Sequence, residues 1–321
     1  MQIISKIKTM QEKADSLRLE NKRIGFVPTM GALHQGHLSL IKAAREENDI
    51  LIVSIFVNPI QFSPNEDYKM YPRTMEEDEK LCRQMDVDII FHPETTEMYP
   101  EQLLTTVNVS EITSGLCGSF RPVHFQGVTT VVTKLFNAVK PHVAYFGQKD
   151  YQQAIVIKKM TQDLNFDIKI QILPTVREEA DRGLALSSRN AFLNPEERAQ
   201  AGILFQTLQI AKKMLDDGER DGNRLACWMK ENIKNAPLAL IEYAEVCDTK
   251  TLKPLPQIEM SVLLALSVRV GKTRLIDNMI WESEVGADLC VCPNLCVCPN
   301  LCVCPAQHVY SDKQEQDRCG S

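Results

Sequence analysis

The sequence predicts an α/β fold: a doubly wound parallel sheet followed by a smaller α+β domain. Strand-like and helix-like segments alternate from residue 24 to residue 173, and this alternation is typical of parallel sheets with helices on both faces. The run at 49–57 is almost continuously apolar and rich in β-branched residues, as expected for a strand buried on both faces. A turn with two glycines at 28–37 separates a strand from a helix, which is a Rossmann-like arrangement.

The elements of the larger domain are justified by hydrophobic period and by flanking turn residues. They are expected to be the polar end of a helix at 15–21, a strand at 24–27, a helix beginning at His37, a strand at 49–57, a helix at 73–85, a strand at 87–91, a helix at 129–139, a strand at 143–146, a helix at 151–162 and a strand at 167–173. In the last of these, Ile168, Ile170 and Ile172 alternate with the period of a β-strand.

The composition changes at 177–190, a stretch rich in charged residues, serine and glycine. We expect it to be a mobile linker and not a buried element. Beyond it, Asn194, Pro195 and Glu197 predict a helix start, because they supply a cap, a suitable φ angle and a first-turn carboxylate. The later elements are expected to be the rest of this helix to 217, a helix at 224–235 and strands at 241–246 and 262–270.

The chain is therefore predicted to have three parts. A Rossmann-like domain occupies 1–180, and a smaller α+β domain occupies 181–283 with the mobile loop at its start. A cysteine-rich tail at 284–321 is expected to be disordered, because its repetitive composition does not predict a packed core.

The net charge, the length of the apolar regions and the cysteine spacing exclude several classes of protein. The formal charge of −6 and the pI near 5.6 lack the basic surplus typical of nucleic-acid binding. The longest apolar region, around 260–270, is too short to cross a bilayer. The cysteines before the tail have no paired spacing, which suits free thiols in a reducing compartment. We predict a soluble, cytoplasmic protein that binds small molecules and has no nucleic-acid or membrane partner.

The turn at 28–37 is a candidate phosphate site. Helix N-termini stabilise anions through unpaired amides and the helix dipole, and Gly31 and Gly36 allow close backbone approach. His34 and His37 lie three residues apart, so both rings should lie on one side of the first helical turn. Either ring could become cationic near neutral pH. The alternative is an ordinary helix start with one capping histidine and one surface histidine.

Two further segments carry groups that suit phosphates. The strand end at 147–150 offers Lys149, and the linker offers Ser187, Ser188 and Arg189. Each alone has an ordinary interpretation, as a solvated lysine or a surface loop. Their joint occurrence at strand ends or in glycine-containing loops favours one anion-binding site.

Six motifs, in this order and spacing, resemble the pantothenate synthetase family over residues 1–281. They are PTMGALHQGH, SIFVNPIQF, YPRT, FGQKDYQQ, LALSSRN and RLIDN. The resemblance implies an ATP-dependent ligase that condenses (R)-pantoate with β-alanine through a pantoyl-adenylate, giving pantothenate, AMP and diphosphate. It also implies a homodimer and Mg²⁺ bound through the phosphates. The alternatives are a nucleotidyltransferase of the same superfamily, or a catalytically impaired scaffold with a metal-binding thiol tail.

The resemblance also implies roles for individual residues. The catalytic residues would be His34, His37, Lys149, Ser187, Ser188 and Arg189. The ATP site would comprise Met30, Gly31, Ala32, Leu33, His34, Gln35, Gly36, His37, Gly147, Gln148, Lys149, Asp150, Val176, Leu186, Ser187, Ser188 and Arg189. Pantoate and β-alanine would contact Asn58, Gln61 and Gln153, and no residue is expected to bind a metal directly.

Two features depart from the family pattern. Val123 stands where the family usually has glycine, and a residue with φ > 0 there would be strained. The run at 177–183 is longer by about two residues than the usual pattern, and a longer linker could misplace the serines and the arginine that follow. We therefore expect an active enzyme with a reduced rate.

The tail has no counterpart in the family. Six of its seven cysteines lie in a Leu-Cys-Val-Cys-Pro unit that occurs three times, and they are Cys290, Cys292, Cys296, Cys298, Cys302 and Cys304. Thiolates suit Zn²⁺ or Cu⁺. The alternative is an extension translated from repetitive sequence without a selected role.

Overall fold

The larger sheet of the protein has six parallel strands. The computed structural model describes residues 1–64 and 66–283. The strands are β1 (Gln2–Ile4), β2 (Ile24–Thr29), β3 (Ile50–Ile55), β4 (Ile89–Phe91), β5 (Val143–Gly147) and β6 (Lys169–Leu173). Their order across the sheet is β1-β4-β3-β2-β5-β6. The predicted doubly wound parallel sheet is confirmed, and β1 is an edge strand that was not predicted.

Helices cover both faces of this sheet. They are α1 (Ile7–Leu19), α2 (Gln35–Glu47), α3 (Met75–Gln84), α4 (Thr95–Met98), α5 (Cys117–Phe120), α6 (His124–Val139) and α7 (Tyr151–Asp163). Side chains alternate along a strand, so neighbouring residues of β2 face different cores. Phe26 packs against Phe136 of α6 with ring centres 6.4 Å apart, while Val27 lies in the other core with Ile41 of α2.

The stretch at 177–190 is more ordered than its composition indicates. Strands β7 (Arg177–Glu178) and β8 (Leu184–Ala185) pair as an antiparallel hairpin. Leu184 and Ala185 are buried, so the prediction that this stretch contains no buried element is wrong. The hairpin is held by Arg177, whose guanidinium donates to both carboxylate oxygens of the buried Asp277 at 2.6 and 2.9 Å. Its mobility stays a prediction.

The smaller sheet is antiparallel, in the order β11-β10-β9. Its strands are β9 (Ala239–Asp248), β10 (Val262–Val270) and β11 (Thr273–Trp281), and its helices are α8 (Pro195–Ala201), α9 (Ile203–Asp216) and α10 (Gly222–Ile233). Leu264 and Leu266 pack in the core formed with these helices, whereas Leu263 packs on the other face with Tyr151. The α+β character is as predicted, and β11 was missed.

The prediction of a single helix from 195 to 217 is wrong, because this segment contains two helices. It is divided into α8 and α9 at Gly202. A Cβ atom at that position would lie 2.9 Å from the Cβ of Arg182 in the hairpin, so glycine permits the close approach. The helix thus divides at the residue where the hairpin approaches it.

Residues 1–283 form one compact unit. The predicted domain boundary after residue 180 falls in the turn between β7 and β8, and the division into two domains stays a prediction. The cysteines within the described ranges, Cys82, Cys117, Cys227 and Cys247, are free thiols as expected. The same ranges contain no helix with the length and apolarity needed to cross a membrane. The predictions for the cysteine-rich tail lie outside the described residues.

Candidate active site

The candidate site is an open cleft at the carboxyl edge of the large sheet. The neighbours β2 and β5 form a switch point, because the chain continues from β2 to one side of the sheet and from β5 to the other. Ligands of open α/β sheets bind at such a point. The segments 28–37 and 147–150 begin with the last residues of β2 and β5 and continue beyond them. The cleft encloses about 1380 Å³ including its open mouth, which fits a sizeable small-molecule ligand.

His34 and His37 cap helix α2 and lie side by side. Nδ1 of His34 accepts a hydrogen bond from the Gly36 N–H at 3.2 Å, and the His34 N–H donates to Nδ1 of His37 at 3.3 Å. The ring centres are 4.1 Å apart, and both residues line the cleft. Because each Nδ1 is an acceptor, each neutral ring carries its proton on Nε2. The alternative of one capping and one surface histidine does not hold.

Both imidazoles are neutral near neutral pH in the protein alone. Burial lowers the pKa of His34 to about 4, with a smaller effect from the charge of Lys149. Burial also lowers the pKa of His37 to about 3, with a contribution from His34. The expectation that either ring could become cationic near neutral pH is therefore not met in the protein alone. Each ring can donate a hydrogen bond through Nε2–H, and in the protein alone the positive charge in the cleft comes from lysine and arginine side chains.

A buried carboxylate fixes the turn before these histidines. Asp78 of α3 accepts hydrogen bonds from the backbone N–H groups of Ala32 at 2.9 Å and Leu33 at 2.7 Å. Its residue is 1% exposed. Gly31 has φ +80°, and a Cβ atom there would lie 2.8 Å from a carboxylate oxygen of Asp78. Sequence reasoning missed Asp78, because it reads as one of several acids on a charged helix.

Lys149 and Asp150 lie in the turn after β5 and line the cleft. The Nζ atom of Lys149 is 3.6 Å from Oδ1 of Asp150. Burial acts to raise the pKa of Asp150, but the charges of Lys149 and Arg189 outweigh it and the pKa is lowered. Asp150 is therefore an ionised carboxylate beside two cations.

The Ser187, Ser188 and Arg189 segment forms another wall of the same cleft. The Ser187 hydroxyl oxygen accepts a hydrogen bond from the Arg189 N–H at 3.3 Å. Oγ of Ser188 lies 3.2 Å from the hydroxyl of Tyr71. The Arg189 guanidinium donates to both carboxylate oxygens of Asp67, at 2.8 and 3.1 Å. The structure thus brings all three predicted anion-binding segments together.

Amide side chains form a second region of the cleft. Asn58 is 1% exposed; its Nδ2 donates to Oε1 of Gln61 at 3.1 Å, and its Oδ1 accepts from the Tyr99 hydroxyl at 2.8 Å. Nε2 of Gln61 lies 3.2 Å from Sδ of Met30. Gln153 lines the cleft and has no hydrogen-bond partner for its side chain within the described chain. Asn58 therefore orients Gln61, and Gln153 keeps its amide available.

Most of the predicted site residues border the cleft. Those that do are Met30, His34, Gly36, His37, Asn58, Gln61, Gly147, Lys149, Asp150, Gln153, Val176, Leu186, Ser187, Ser188 and Arg189. Gly31, Ala32, Leu33, Gln35 and Gln148 do not line it. Gly31, Ala32 and Leu33 shape the turn instead, and the Gln148 carbonyl accepts a hydrogen bond from Nδ2 of Asn278 at 2.9 Å.

A buried ionic network adjoins the amide region and was not predicted. Arg121 donates to both oxygens of Glu66, at 2.6 and 2.9 Å, and approaches Nε2 of His124 at 3.1 Å. Nδ1 of His124 is 3.1 Å from the Gln61 carbonyl oxygen. Since Arg121 can only donate, Nε2 of His124 is the acceptor and Nδ1–H donates to Gln61. Arg121 is 7% exposed, so its end of the ion pair with Glu66 is buried.

The two departures from the family pattern have structural explanations. Val123 has φ −93° and ψ −10°, so the strain anticipated for a positive φ is absent at this residue. The longer run at 177–183 is accommodated in the β7–β8 hairpin, whose tip contains Arg182 and Gly183 at positive φ. Ser187 and Arg189 still reach the cleft. Neither feature provides a structural reason for a reduced rate.

The sequence was compared with protein-family models and with named proteins, and both comparisons identify the same family. The family model described as pantoate-beta-alanine ligase matches residues 2–280. A protein of Clostridium botulinum (strain Loch Maree / Type A3) named pantothenate synthetase is 52% identical over 282 residues, which cover 88% of this chain and 100% of the relative.

Solved structures show the same similarity. Pantothenate synthetase from Thermus thermophilus has a TM-score of 0.82 and 41% identity, covering 87% of this chain and 99% of that one. Pantoate-beta-alanine ligase from Francisella tularensis, described as complexed with beta-gamma ATP and beta-alanine, has a TM-score of 0.71 and 37% identity, covering 87% and 97%. The chain belongs to the pantoate-β-alanine ligase family.

Proposed function

We propose that this protein is an ATP-dependent ligase that joins (R)-pantoate to β-alanine and releases pantothenate, AMP and diphosphate. The observation that carries the proposal is the convergence of His34, His37, Lys149 and Arg189 on one cleft beside an amide-lined region. The names of the relatives and the ATP and β-alanine of the Francisella tularensis complex support the same activity.

In the first step, a carboxylate oxygen of pantoate attacks the α-phosphorus of ATP. The bond to the bridging oxygen breaks and diphosphate leaves, so negative charge develops on the departing oxygens. The Nε2–H groups of His34 and His37 donate hydrogen bonds to phosphate oxygens, while Lys149 and Arg189 supply positive charge. Catalysis of this kind depends on positioning and charge stabilisation, and it needs no protein nucleophile.

In the second step, the neutral amine of β-alanine attacks the carbonyl carbon of the pantoyl-adenylate. The carbon–oxygen bond to the phosphate breaks, AMP leaves, and the attacking nitrogen releases one proton to solvent. Gln61 and Gln153 hold the hydroxyl and carboxyl groups of the pantoyl part, because amides can both donate and accept without adding charge. Asn58 acts by orienting Gln61.

Mg²⁺ fits this site as an ion bound through the phosphates of ATP. Asp150 is the only carboxylate lining the cleft in the described part of the chain. That part also contains no group of three or more His, Cys, Asp or Glu side chains suited to a metal. When bound, the ion supplies further charge neutralisation on the phosphate oxygens. We further propose a cytoplasmic homodimer, as in the family the sequence resembles.

The test is pantoate-dependent exchange between ATP and labelled diphosphate, followed by AMP formation on addition of β-alanine. Lys149→Ala should lower exchange by on the order of a hundredfold, since it removes a cation from the reacting phosphates. Lys158→Ala is the matched control, because Lys158 is exposed on α7. Exchange without amine-dependent AMP formation would favour the nucleotidyltransferase alternative. Absence of exchange in a folded protein would refute the proposal.

A further inference from the structure

Arg189 is held by a residue that has no role in the proposed chemistry. Its Nε and Nη2 atoms donate to the two oxygens of Asp67, at 2.8 and 3.1 Å. This is the bidentate arrangement that gives an arginine–carboxylate pair both strength and a defined orientation. About a quarter of each side chain is exposed, so the pair is partly shielded from water and from screening ions.

Asp67 lies on a turn that is itself fixed. The ring of Phe62 packs against Tyr68 and Tyr71, with ring centres 5.5 and 6.2 Å apart. The preceding residue, Glu66, is held by the buried Arg121 through two hydrogen bonds of 2.6 and 2.9 Å. The Asp67 carboxylate therefore has a defined position from which it can set the orientation of a partner.

The pairing leaves part of the guanidinium available. Arginine carries five N–H donors in one plane, and Asp67 engages the Nε and Nη2 edge. Nη1 of Arg189 donates to no atom of the described residues, and Arg189 lines the cleft beside His34, His37 and Lys149. One guanidinium can thus bind a protein carboxylate and a phosphate at the same time.

The charge state of Asp67 suits this arrangement. Burial acts to raise the pKa of Asp67, but the hydrogen bond and the charge of Arg189 outweigh it and the pKa is lowered. The carboxylate is therefore ionised at neutral pH. Tyr71 adds a second contact between the same turn and the serine-rich segment, through its hydroxyl 3.2 Å from Oγ of Ser188.

We propose that Asp67 is a positioning residue that orients Arg189 so that its Nη1 edge faces the triphosphate of ATP. This inference rests on the proposed function, since it assigns no chemistry of its own. It predicts that Asp67 matters only through Arg189. A carboxylate that merely stabilised the turn would matter whether or not the arginine were present.

A double-mutant cycle separates these two cases. The wild type, Asp67→Asn, Arg189→Ala and the double variant are compared by kcat/KM for ATP in pantoate-dependent diphosphate exchange. Asp67→Asn should lower kcat/KM by ten- to a hundredfold, because displacement of a binding group by about 1 Å has an effect of that order. In the Arg189→Ala background, the same substitution should have no further effect. Equal losses in both backgrounds would overturn the inference, as would wild-type activity of Asp67→Asn.

Two further variants serve as controls for the double-mutant cycle. Glu76→Gln removes a carboxylate from an exposed position nine residues away and should leave exchange unchanged. Asp67→Glu keeps the negative charge and should be more active than Asp67→Asn, and the opposite order would overturn the inference. If the wild type shows no pantoate-dependent exchange, the proposed function fails and the inference fails with it. If the wild type exchanges but the cycle is additive, only the inference fails.

Discussion

The backbone N–H of His34 donates a hydrogen bond to Nδ1 of His37 across 3.3 Å. This hydrogen bond caps the N-terminus of helix α2, and it also fixes the tautomer of a candidate catalytic residue. The ring must carry its proton on Nε2, the edge that remains for a ligand. Helix capping uses one edge of the imidazole, and the opposite edge is the one that we propose binds phosphate.

Substitution of His37 should separate these two uses. In His37→Asn the amide oxygen can take the place of Nδ1 as the cap acceptor, but no donor remains at the position of Nε2. We expect a thermal unfolding midpoint near that of the wild type and a loss of diphosphate exchange on the order of a hundredfold or more, as for removal of one transition-state donor. Calorimetry and exchange assays measure the two effects, and retained exchange would contradict the assigned role.

Replacement of Asp78 tests how the turn is held. Asp78→Asn changes little in shape but replaces one acceptor of the Ala32 and Leu33 N–H groups by an NH₂ group. A buried donor left without a partner costs about 1–3 kcal/mol, so the free energy of unfolding should fall by that amount. Denaturant titration measures it, with the exposed Glu76→Gln as control. Equal stabilities of the two variants would show that the carboxylate does not hold the turn.

Gly127 tests the packing behind the amide region. A Cβ atom at this position would lie 2.5 Å from both Cα of Gln61 and the carbonyl oxygen of Ile60. Gly127→Ala should therefore displace Gln61 and raise the KM for pantoate by about tenfold or more. Gly115→Ala is the matched control, because no atom lies within 4 Å of a Cβ there. Similar KM values for the two variants would contradict the assigned position of Gln61.

Buried neutral histidines should make stability depend on pH. Burial, with the charge of Arg121, lowers the pKa of His124 to about 3, below its unfolded value of about 6.5. The unfolded chain then binds protons that the folded protein does not. Stability should be complete above pH 6.5 and should decrease as the pH falls towards the folded pKa. His34 and His37 contribute in the same direction.

The variant His124→Gln should reduce this dependence. Its amide can still accept from Arg121 and donate to the Gln61 carbonyl, but it does not titrate. The slope of unfolding free energy against pH between 6 and 5 should become shallower by up to about 1.4 kcal/mol per pH unit. Urea titrations at several pH values measure the slope. An unchanged slope would mean that His124 is protonated in the folded protein.

Local sequence patterns predicted the sheet and the ligand-facing residues of the site. The apolar runs that became β2 and β3, and the glycine-containing turn that precedes α2, are features of adjacent residues. The histidine spacing and the strand-end lysine could likewise be recognised from the sequence. These features place ligand-facing groups at the carboxyl edge of the sheet without knowledge of tertiary contacts.

The residues that hold those groups could not be recognised in the same way. Asp78 and Asp67 resemble their exposed acidic neighbours in the sequence, and their partners lie 45 and 122 residues away. The helix break at Gly202 lies where the hairpin approaches the chain, and that contact joins separate elements. Such features are determined by how distant elements pack, whereas periodicity reports only on each element alone.

In the proposed reaction, the cleft activates the carboxylate of pantoate by joining it to the phosphate of AMP. The most direct measurement uses pantoate labelled with ¹⁸O in its carboxyl group, with ATP and β-alanine, and mass spectrometry of the nucleotide product. The oxygen that attacks the α-phosphorus leaves with the nucleotide, so we expect AMP that carries one ¹⁸O atom. Unlabelled AMP, or ADP in place of AMP, would contradict it.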